Sequence, residues 1–251
     1  MPSTAHPDRT LPRTYGLLGG RVRLRDWPDR DRPAIDAPLL AAAAPAAGTV
    51  LDAGCGGGAV GLCLAARLPQ ARITALDIST AAVAETAGNV EENGWNGRFE
   101  VVQRSLAAFR ADGFELVLSN PPYHDPASSR AGTPDRDQAR FGEIELGDWL
   151  GHCLRLCRPR GHLVVVLRAD RIAAAITAID PAAGDLRILP LYGRAGQPAS
   201  RVLIRARKAV RSPSRILPGL VLHEADGGWT AAAHRILADA AAIDWESGSI
   251  A

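Results

Sequence analysis

Five short apolar runs alternate with helix-forming segments between residues 49 and 179, and this rhythm limits the possible folds most strongly. The runs are TVLDA, RITALDI, FEVVQ, FELVLS and HLVVVL, each of a length that suits a buried strand. Strands that alternate with helices form a parallel sheet covered on both faces. We predict an α/β fold with a doubly wound, mostly parallel, seven-stranded sheet. An antiparallel pair over Leu186 to Leu191 and Arg201 to Arg207 is expected at one edge.

The segments that flank this region have a different composition. Residues 1–14 are rich in Pro, Thr and Arg and are predicted to be a flexible tail. Residues 15–212 are predicted to form the main domain, including an N-terminal segment that faces the substrate and an alanine-rich helix over residues 35–47. Residues 213–251 are predicted to be an extension packed on that domain, with a strand over Ile216 to His223 and a helix over Ala231 to Ala242.

Cysteine usage and hydropathy bear on the compartment. The four cysteines, at positions 55, 63, 153 and 157, are too few and too irregularly spaced for a disulfide scaffold. Residues 1–13 lack the apolar core of a secretory signal, and the alanine-rich stretch 39–47 is too short to cross a bilayer. We therefore expect a cytoplasmic protein with no membrane partner and no metal, either a monomer or a weak dimer.

A glycine-rich segment, DAGCGGG, follows the first predicted strand and opens a helix. Glycines at such a turn allow the backbone to approach a ligand, and the second strand ends in Asp77, which can accept both ribose hydroxyls. The spacing of Gly54, Gly56 and Ala59 also satisfies the dinucleotide fingerprint, so NAD stays possible. Asp52 favours S-adenosylmethionine, because a carboxylate there would repel a pyrophosphate and attract a methionine ammonium group.

The fourth strand is followed by Asn120-Pro121-Pro122-Tyr123. A planar amine, such as adenine N6, must gain tetrahedral character before it attacks a methyl group. The Asn120 side-chain oxygen and the Pro121 carbonyl can each accept one of its N–H bonds. The two prolines stiffen the loop, and the Tyr123 ring offers a face on which a base can stack. The motif therefore favours methyl transfer to a planar nitrogen and argues against hydride transfer.

With these motifs in place, the chain resembles class I S-adenosylmethionine-dependent methyltransferases, which have a Rossmann-like fold. More narrowly, it resembles the bacterial adenine-N6-methyltransferases that modify valine tRNA beside the anticodon. The resemblance covers roughly residues 17 to 237. Besides NPPY, the segments that carry it are LLGGRVRL, IDAPLLAAA, LRADR, RAGQPASRVLIRARK and LPGLVLHEADGGWT.

The resemblance implies that residues 120–123 surround the target amine of a tRNA adenine, at position 37. It also implies a set of cofactor-binding residues, comprising Asp36, Asp52, Gly54, Gly56, Asp77, Ile78, Ser105 and Asn120. Family members usually carry an acid after the third strand, where this chain has Ser105 in the sequence QRSL, so the contact with the cofactor adenine departs from the pattern. The charged stretch 26–33 is a second departure.

The chain has a net charge of +2, but its charged residues are distributed unevenly along the sequence. Residues 201–216 contain six basic and no acidic side chains, whereas residues 217–251 contain one basic and five acidic ones. Period-two alternation places Arg201, Arg205 and Arg207 on one strand face. These residues, with Arg21 and Arg23, are candidates for contacts with the RNA backbone; alternatively, charges on an outer strand only prevent edge-to-edge aggregation.

Other functions stay open at this point. The same chemistry would suit a glutamine amide in a release factor or a guanine N2 in rRNA. Two alternatives remain. One is a non-catalytic RNA-binding module on this fold, which the presence of Asp52 and Asn120 disfavours. The other is an NAD-linked oxidoreductase, which the NPPY motif disfavours.

Overall fold

The computed structural model of the chain describes residues 14–25, 35–122 and 145–250. An N-terminal hairpin pairs β1 (Thr14–Leu17) with β2 (Val22–Arg25). The strands that follow are β3 (Thr49–Ala53), β4 (Arg72–Asp77), β5 (Phe99–Gln103), β6 (Phe114–Ser119), β7 (Cys157–Arg168), β8 (Ala183–Arg194), β9 (Ala199–Lys208), β10 (Arg215–Ile216) and β11 (Leu220–His223). The helices are α1 (Asp36–Ala42), α2 (Ala59–Arg67), α3 (Thr80–Glu92), α4 (Leu146–Leu156), α5 (Ile172–Ile179) and α6 (Ala231–Asp239).

Within the described residues the main sheet has nine strands in the order β10, β8, β9, β7, β6, β3, β4, β5, with β11 also paired to β8. Strands β5, β4, β3, β6 and β7 are parallel, and β9 runs antiparallel between β7 and β8. The predicted α/β class, with its doubly wound sheet and antiparallel pair, is confirmed. The sheet exceeds the predicted seven strands because β10 and β11 from the C-terminal segment pair with β8.

Both faces of the sheet are buried, as continuous apolar strands require. On one face, α1, α2, α6 and the N-terminal hairpin cover Val164 and Val166 of β7. On the other, α4 and α5 cover Leu163, Val165 and Leu167 of the same strand. All four cysteines are buried and form no disulfide. No helix in the described part of the chain is long and apolar enough to cross a membrane.

Helix α3 fixes the N-terminal hairpin in place. Its N-cap is Ser79, whose hydroxyl accepts the Ala82 N–H at 3.3 Å. At its other end, Asn93 accepts the Arg23 N–H at 2.9 Å and donates to the Arg23 carbonyl at 2.7 Å. These bonds satisfy backbone groups at the edge of β2 that no neighbouring strand reaches, so the hairpin is docked by side chains.

Three predicted elements differ from the structure, two of them because of prolines and glycines in the sequence. The helix predicted over residues 35–47 ends at Ala42, because Pro45 disfavours helical backbone in the residue before it. The strand predicted over Ile216 to His223 is split into β10 and β11 by Pro218 and by Gly219, whose φ is +93°. The strand predicted at the outer position, β9, lies between β7 and β8 and is not an edge.

The C-terminal extension is anchored by Trp245, which is 4% exposed. Its Nε1 donates to the Ala43 carbonyl at 2.7 Å, and its ring lies 5.2 Å from the Arg205 guanidinium.

We expect Trp245→Ala to lower the free energy of unfolding by roughly 3–5 kcal/mol in urea titrations, because a buried indole and its hydrogen bond are lost. Trp229→Phe, in the same extension but at a 43% exposed side chain, is expected to cost less than about 1 kcal/mol. An unchanged main transition in Trp245→Ala would mean that the extension unfolds separately.

Candidate active site

The glycine-rich loop between β3 and α2 is held by the end of the neighbouring strand β4. The backbone N–H groups of Gly54 and Cys55 both donate to the Leu76 carbonyl, at 2.9 and 3.0 Å. The Gly56 N–H donates to Asp77 Oδ2 at 2.9 Å. Gly54 has a φ of +75°, and a Cβ there would lie 2.9 Å from the Trp149 ring. The turn therefore requires glycine for both its conformation and its packing.

Helix α3 holds the same loop from the other side. The Thr86 hydroxyl donates to the Gly56 carbonyl at 2.6 Å, and the Asn89 amide donates to the Gly57 carbonyl at 2.8 Å. Asn89 also accepts the Arg25 N–H at 2.8 Å, so one buried side chain joins the hairpin to the loop. Sequence analysis missed Thr86 and Asn89, because mid-helix polar residues carry no motif.

Asp52 lies beneath the loop, 1% exposed. Its Oδ2 accepts the Gly61 N–H in the first turn of α2 at 2.9 Å. Burial, with a smaller contribution from the charge of Asp77, raises the pKa of Asp52 to about 7, although the bond from Gly61 opposes this. Asp52 is a buried carboxyl at a helix N-terminus, and it is not among the residues that line the adjacent cavity.

A cavity of about 270 Å³ opens beside the loop at the carboxyl ends of β3, β4 and β6. Many of the predicted site residues meet there, namely Gly54, Gly56, Asp77, Ile78, Ser105, Asn120 and Pro122. Leu76, Arg104, Leu106 and Trp149 complete the lining described. Pro121 is buried next to these residues in sequence, and Tyr123 lies outside the described residues.

The acid at the end of β4 already holds the site together. Asp77 Oδ2 accepts from Gly56, and its Oδ1 accepts the Ser79 N–H at 2.9 Å. Each carboxylate oxygen retains capacity for a further hydrogen bond, so the acid can still bind hydroxyls in the cavity. Ser105 accepts the Ala108 N–H at 3.3 Å, and its hydroxyl proton, which has no acceptor among the described residues, can donate toward a ligand. Ile78, 45% exposed, adds an apolar surface.

Asn120 presents a hydrogen-bond acceptor that nothing in the described part of the chain satisfies. Its Oδ1 is buried and has no partner there. A buried acceptor of this kind costs free energy unless a ligand donates to it. Because Asn120 lines the cavity, the expected donor is an N–H or O–H group of a bound molecule.

A hydrogen-bond chain behind Asn120 involves Trp149, which sequence analysis missed. Trp149 Nε1 donates to the Ser119 hydroxyl at 3.0 Å, and that hydroxyl donates to the Ala53 carbonyl at 2.8 Å. The chain joins α4, the end of β6 and the end of β3. It therefore fixes the residues that directly precede both the glycine loop and Asn120, and Trp149 does so through an indole that also walls the cavity.

Two other predicted groups lie elsewhere. Asp36 is 9% exposed, does not line the cavity, and forms an ion pair with Arg201 at 3.5 Å. In the N-terminal hairpin, Arg23 pairs with Glu92 at 3.4 Å, and Arg21 donates to carbonyls of the hairpin and of α6. These side chains therefore bind other parts of the chain, and Arg23 keeps 60% of its side chain exposed.

Arg205 and Arg207 do not form the solvent-facing basic strip that the sequence suggested. Arg205 is 11% exposed and pairs with Asp185 at 3.6 Å. Trp245 and the C-terminal extension cover this face, so the alternation identified the shared face but not what packs on it.

Burial and the two arginines lower the pKa of the nearby His162 to about 4, which keeps it neutral at physiological pH. Within the described residues, no group of three or more His, Cys, Asp or Glu side chains could hold a metal.

Comparison with known proteins shows which family the chain resembles. The family model described as "Methyltransferase small domain" matches residues 35–135. A tRNA1(Val) (adenine(37)-N6)-methyltransferase from Aeromonas hydrophila is 32% identical over 217 residues, which cover 80% of this chain and 88% of the relative.

Two solved structures share the fold. A predicted O-methyltransferase from Agrobacterium tumefaciens has a TM-score of 0.67 at 25% identity, over 80% of this chain and 94% of the other. A putative class I S-adenosylmethionine-dependent methyltransferase from Listeria monocytogenes has a TM-score of 0.51 at 16% identity, over 72% and 62% of the two chains. The second likeness bears on the fold alone.

The buried carboxyl of Asp52 leads to a pH-dependent prediction. Its pKa is about 7 in the folded protein and near 4 in the unfolded chain, so the native state binds the proton more tightly. The contribution of Asp52 to the free energy of unfolding is therefore lost as pH rises through 7. Asp52→Asn keeps an acceptor for Gly61, and we expect it to stabilise the ligand-free protein by about 2 kcal/mol more at pH 8 than at pH 5.5.

Urea titrations at the two pH values measure this difference. Asp112→Asn, which removes an exposed acid, is the matched control and is expected to change little at either pH. A stabilisation by Asp52→Asn that is equal at pH 5.5 and pH 8 would contradict the raised pKa.

Proposed function

Because the chain belongs to the family of tRNA1(Val) (adenine(37)-N6)-methyltransferases, we propose that it methylates N6 of adenine 37 in a valine tRNA. The methyl donor in this proposal is S-adenosylmethionine. The observation that carries the proposal is the buried side-chain oxygen of Asn120, which has no hydrogen-bond partner among residues 14–25, 35–122 and 145–250. Each step below concerns what the residues of this chain do.

The cavity has the groups that S-adenosylmethionine needs. Asp77 can bind the ribose hydroxyls, while Leu76, Ile78 and Leu106 offer apolar surfaces to a flat base. A Cβ on Gly56 would meet nothing within 4 Å, so the loop backbone is open to a ligand. When bound, this cofactor supplies an electrophilic methyl group on a sulfonium. The charge of Asp52, which lies beneath the loop, is proposed to favour binding of the positively charged end of the ligand.

Asn120 is proposed to hold the target amine. Its Oδ1 accepts one N–H of the exocyclic group, and the Pro121 carbonyl accepts the other. Two acceptors on one nitrogen orient its lone pair toward the methyl group, so catalysis is mainly alignment. The amine loses its proton after attack, and for that reason no general base is required beforehand. Pro122 keeps the loop stiff, and Tyr123 is proposed to stack on the flipped adenine.

The chemistry acts on a base that leaves its stack, so a loop of tRNA is the partner that suits it. The proposal includes a cytoplasmic location, no membrane or metal partner, and a monomer or weak dimer. It also retains a main domain over 15–212 with 213–251 as its extension, and assigns Arg21, Arg23 and Arg201 to the periphery of an RNA interface.

Cofactor identity is tested by isothermal titration of the full chain with S-adenosylhomocysteine and with NAD. We expect S-adenosylhomocysteine to bind and NAD not to bind, because the loop lies above the carboxyl group of Asp52, which would repel a pyrophosphate. Asp77→Asn is expected to weaken S-adenosylhomocysteine binding, since a charged acceptor for hydroxyls is lost. NAD binding without S-adenosylhomocysteine binding would overturn the cofactor assignment.

Asn120→Ala tests the catalytic assignment. We expect kcat for tRNA methylation to fall by roughly 100- to 1,000-fold, the loss typical of removing one acceptor or donor that acts in the transition state. S-adenosylhomocysteine affinity should change far less. N6-methyladenosine in the tRNA is measured by mass spectrometry of nucleosides, with the exposed Asn96→Ala as control. Unchanged methylation by Asn120→Ala would refute the catalytic assignment, and a methylated guanine in place of N6-methyladenosine would contradict the proposed target base.

A further inference from the structure

An exposed tryptophan lies on the C-terminal segment outside the cavity. Trp229 is 43% exposed, and its ring stacks on the His223 ring with centroids 4.3 Å apart and planes 25° from parallel. One face of the indole is thus covered by an imidazole. A solvent-exposed tryptophan with one face supported in this way is unusual for a residue that only fills a core.

The turn that carries this ring pair is rigid. His223 and Trp229 form an antiparallel bridge, and the Glu224 N–H donates to the Gly228 carbonyl at 2.8 Å. Thr230 donates to the Val221 carbonyl at 2.7 Å and caps α6 by accepting the Ala233 N–H. The indole is therefore held before any partner arrives, which reduces the entropy cost of binding to it.

The ring pair lies on the same edge of the sheet as the candidate active site. Strands β11 and β8 run parallel to β7 and β6, so His223 at the end of β11 shares the carboxyl edge with Asn120 after β6. Four strand spacings separate β6 from β11, or about 19 Å across the sheet. The register pairs His223 with Arg194 of β8. Along the strand direction, this pair lies about five residues, or roughly 16 Å, past the level of Asn120.

Charge around the ring pair is mixed. Arg194 is exposed, lies beside Gly227 and has no acidic partner in the described residues. The turn also carries Glu224 and Asp226, and the Asp226 carboxylate is engaged with the Gly228 N–H at 2.8 Å. Net attraction for a polyanion is therefore weak here. The surface offers a flat aromatic face with one adjacent cation, which suits an unpaired base and its phosphate.

We propose that Trp229, supported by His223, stacks an unpaired base of the tRNA substrate away from the target adenine, and that Arg194 binds the adjoining phosphate. This inference rests on the proposed function, because a nucleic-acid substrate must reach the catalytic edge. It identifies a second contact on the RNA. That contact fixes the substrate while the target base enters the cavity.

The test uses fluorescence anisotropy of a labelled, unmodified valine tRNA anticodon stem–loop with the full-length protein and S-adenosylhomocysteine. Trp229→Ala is expected to raise the Kd for the RNA by about 10- to 100-fold, the range for loss of one base–aromatic stack. Trp229→Phe, which retains an aromatic face, should stay within a few-fold of wild type. S-adenosylhomocysteine affinity, measured by isothermal titration, should be unchanged in both variants.

Two further measurements keep the proposal testable if Trp229→Ala folds poorly. Arg194→Ala should weaken RNA binding and reduce the slope of log Kd against log salt by about one, whereas Arg72→Ala, an exposed arginine at the opposite edge of the sheet, should not. Stacking should also quench the indole, so RNA-induced quenching of tryptophan fluorescence should be smaller in Trp229→Phe than in wild type.

The outcomes separate this inference from the function on which it rests. If the wild-type protein methylates tRNA and Trp229→Ala binds the stem–loop as tightly as wild type, the stacking contact is wrong and the function stands. If the wild-type protein binds S-adenosylhomocysteine but neither binds nor methylates tRNA, both proposals fail. The contact is supported if Trp229→Ala and Arg194→Ala bind the RNA more weakly, Trp229→Phe and Arg72→Ala bind it nearly as well as wild type, and cofactor affinity is unchanged.

Discussion

The arrangement of the site depends on how the backbone leaves β3 beside the end of β4. Two N–H groups of the glycine loop share the Leu76 carbonyl, and a third binds the carboxylate of Asp77. That carboxylate also binds the first N–H before α3. One acidic side chain thus sets the path of the loop and the start of the next helix, so its position is fixed before a ligand arrives. Such preorganisation lowers the cost of binding, and the bonds from α3 to the same loop add to it.

The loop and the catalytic segment are not independent. Through its bond to the Ser119 hydroxyl, Trp149 connects the end of β6 with the Ala53 carbonyl at the end of β3. Asn120 follows directly, and its side-chain oxygen has no partner in the part of the chain that the structure describes. The satisfied hydrogen bonds of its neighbours offset the cost of this single unsatisfied acceptor. Asn120 therefore presents one polar atom for a ligand, directly after a residue whose hydroxyl both donates and accepts a hydrogen bond.

Sequence reasoning located the parts of this site that are contiguous in the chain. The strands follow from apolar runs, and the loop, Asp77 and Asn120 follow from short motifs at strand ends, where parallel sheets collect ligands. Trp149 and Asn89 were missed, because they act across about 30 residues and resemble ordinary helix positions. The expected exposure of Arg205 failed for a related reason. Alternation assigns a residue to a face, whereas what covers that face is decided by a distant segment, here the one bearing Trp245.

Arginine supplies 28 of the 29 lysine and arginine residues. This abundance is a poor guide to RNA binding, since many guanidinium groups bind other parts of the fold. Arg67 donates to carbonyls of α1 and of the segment after α6, and Arg98 donates to carbonyls at the end of α2. The planar fork of arginine suits such multiple acceptors. A half-buried arginine bound in this way, such as Arg67 or Arg98, contributes little to a phosphate contact. A better candidate for a phosphate contact is a cation that lies at the carboxyl edge of the sheet, as Asn120 does, and has no acceptor within the chain. Among the described residues, Arg194 meets that criterion, and it lies beside the exposed ring of Trp229.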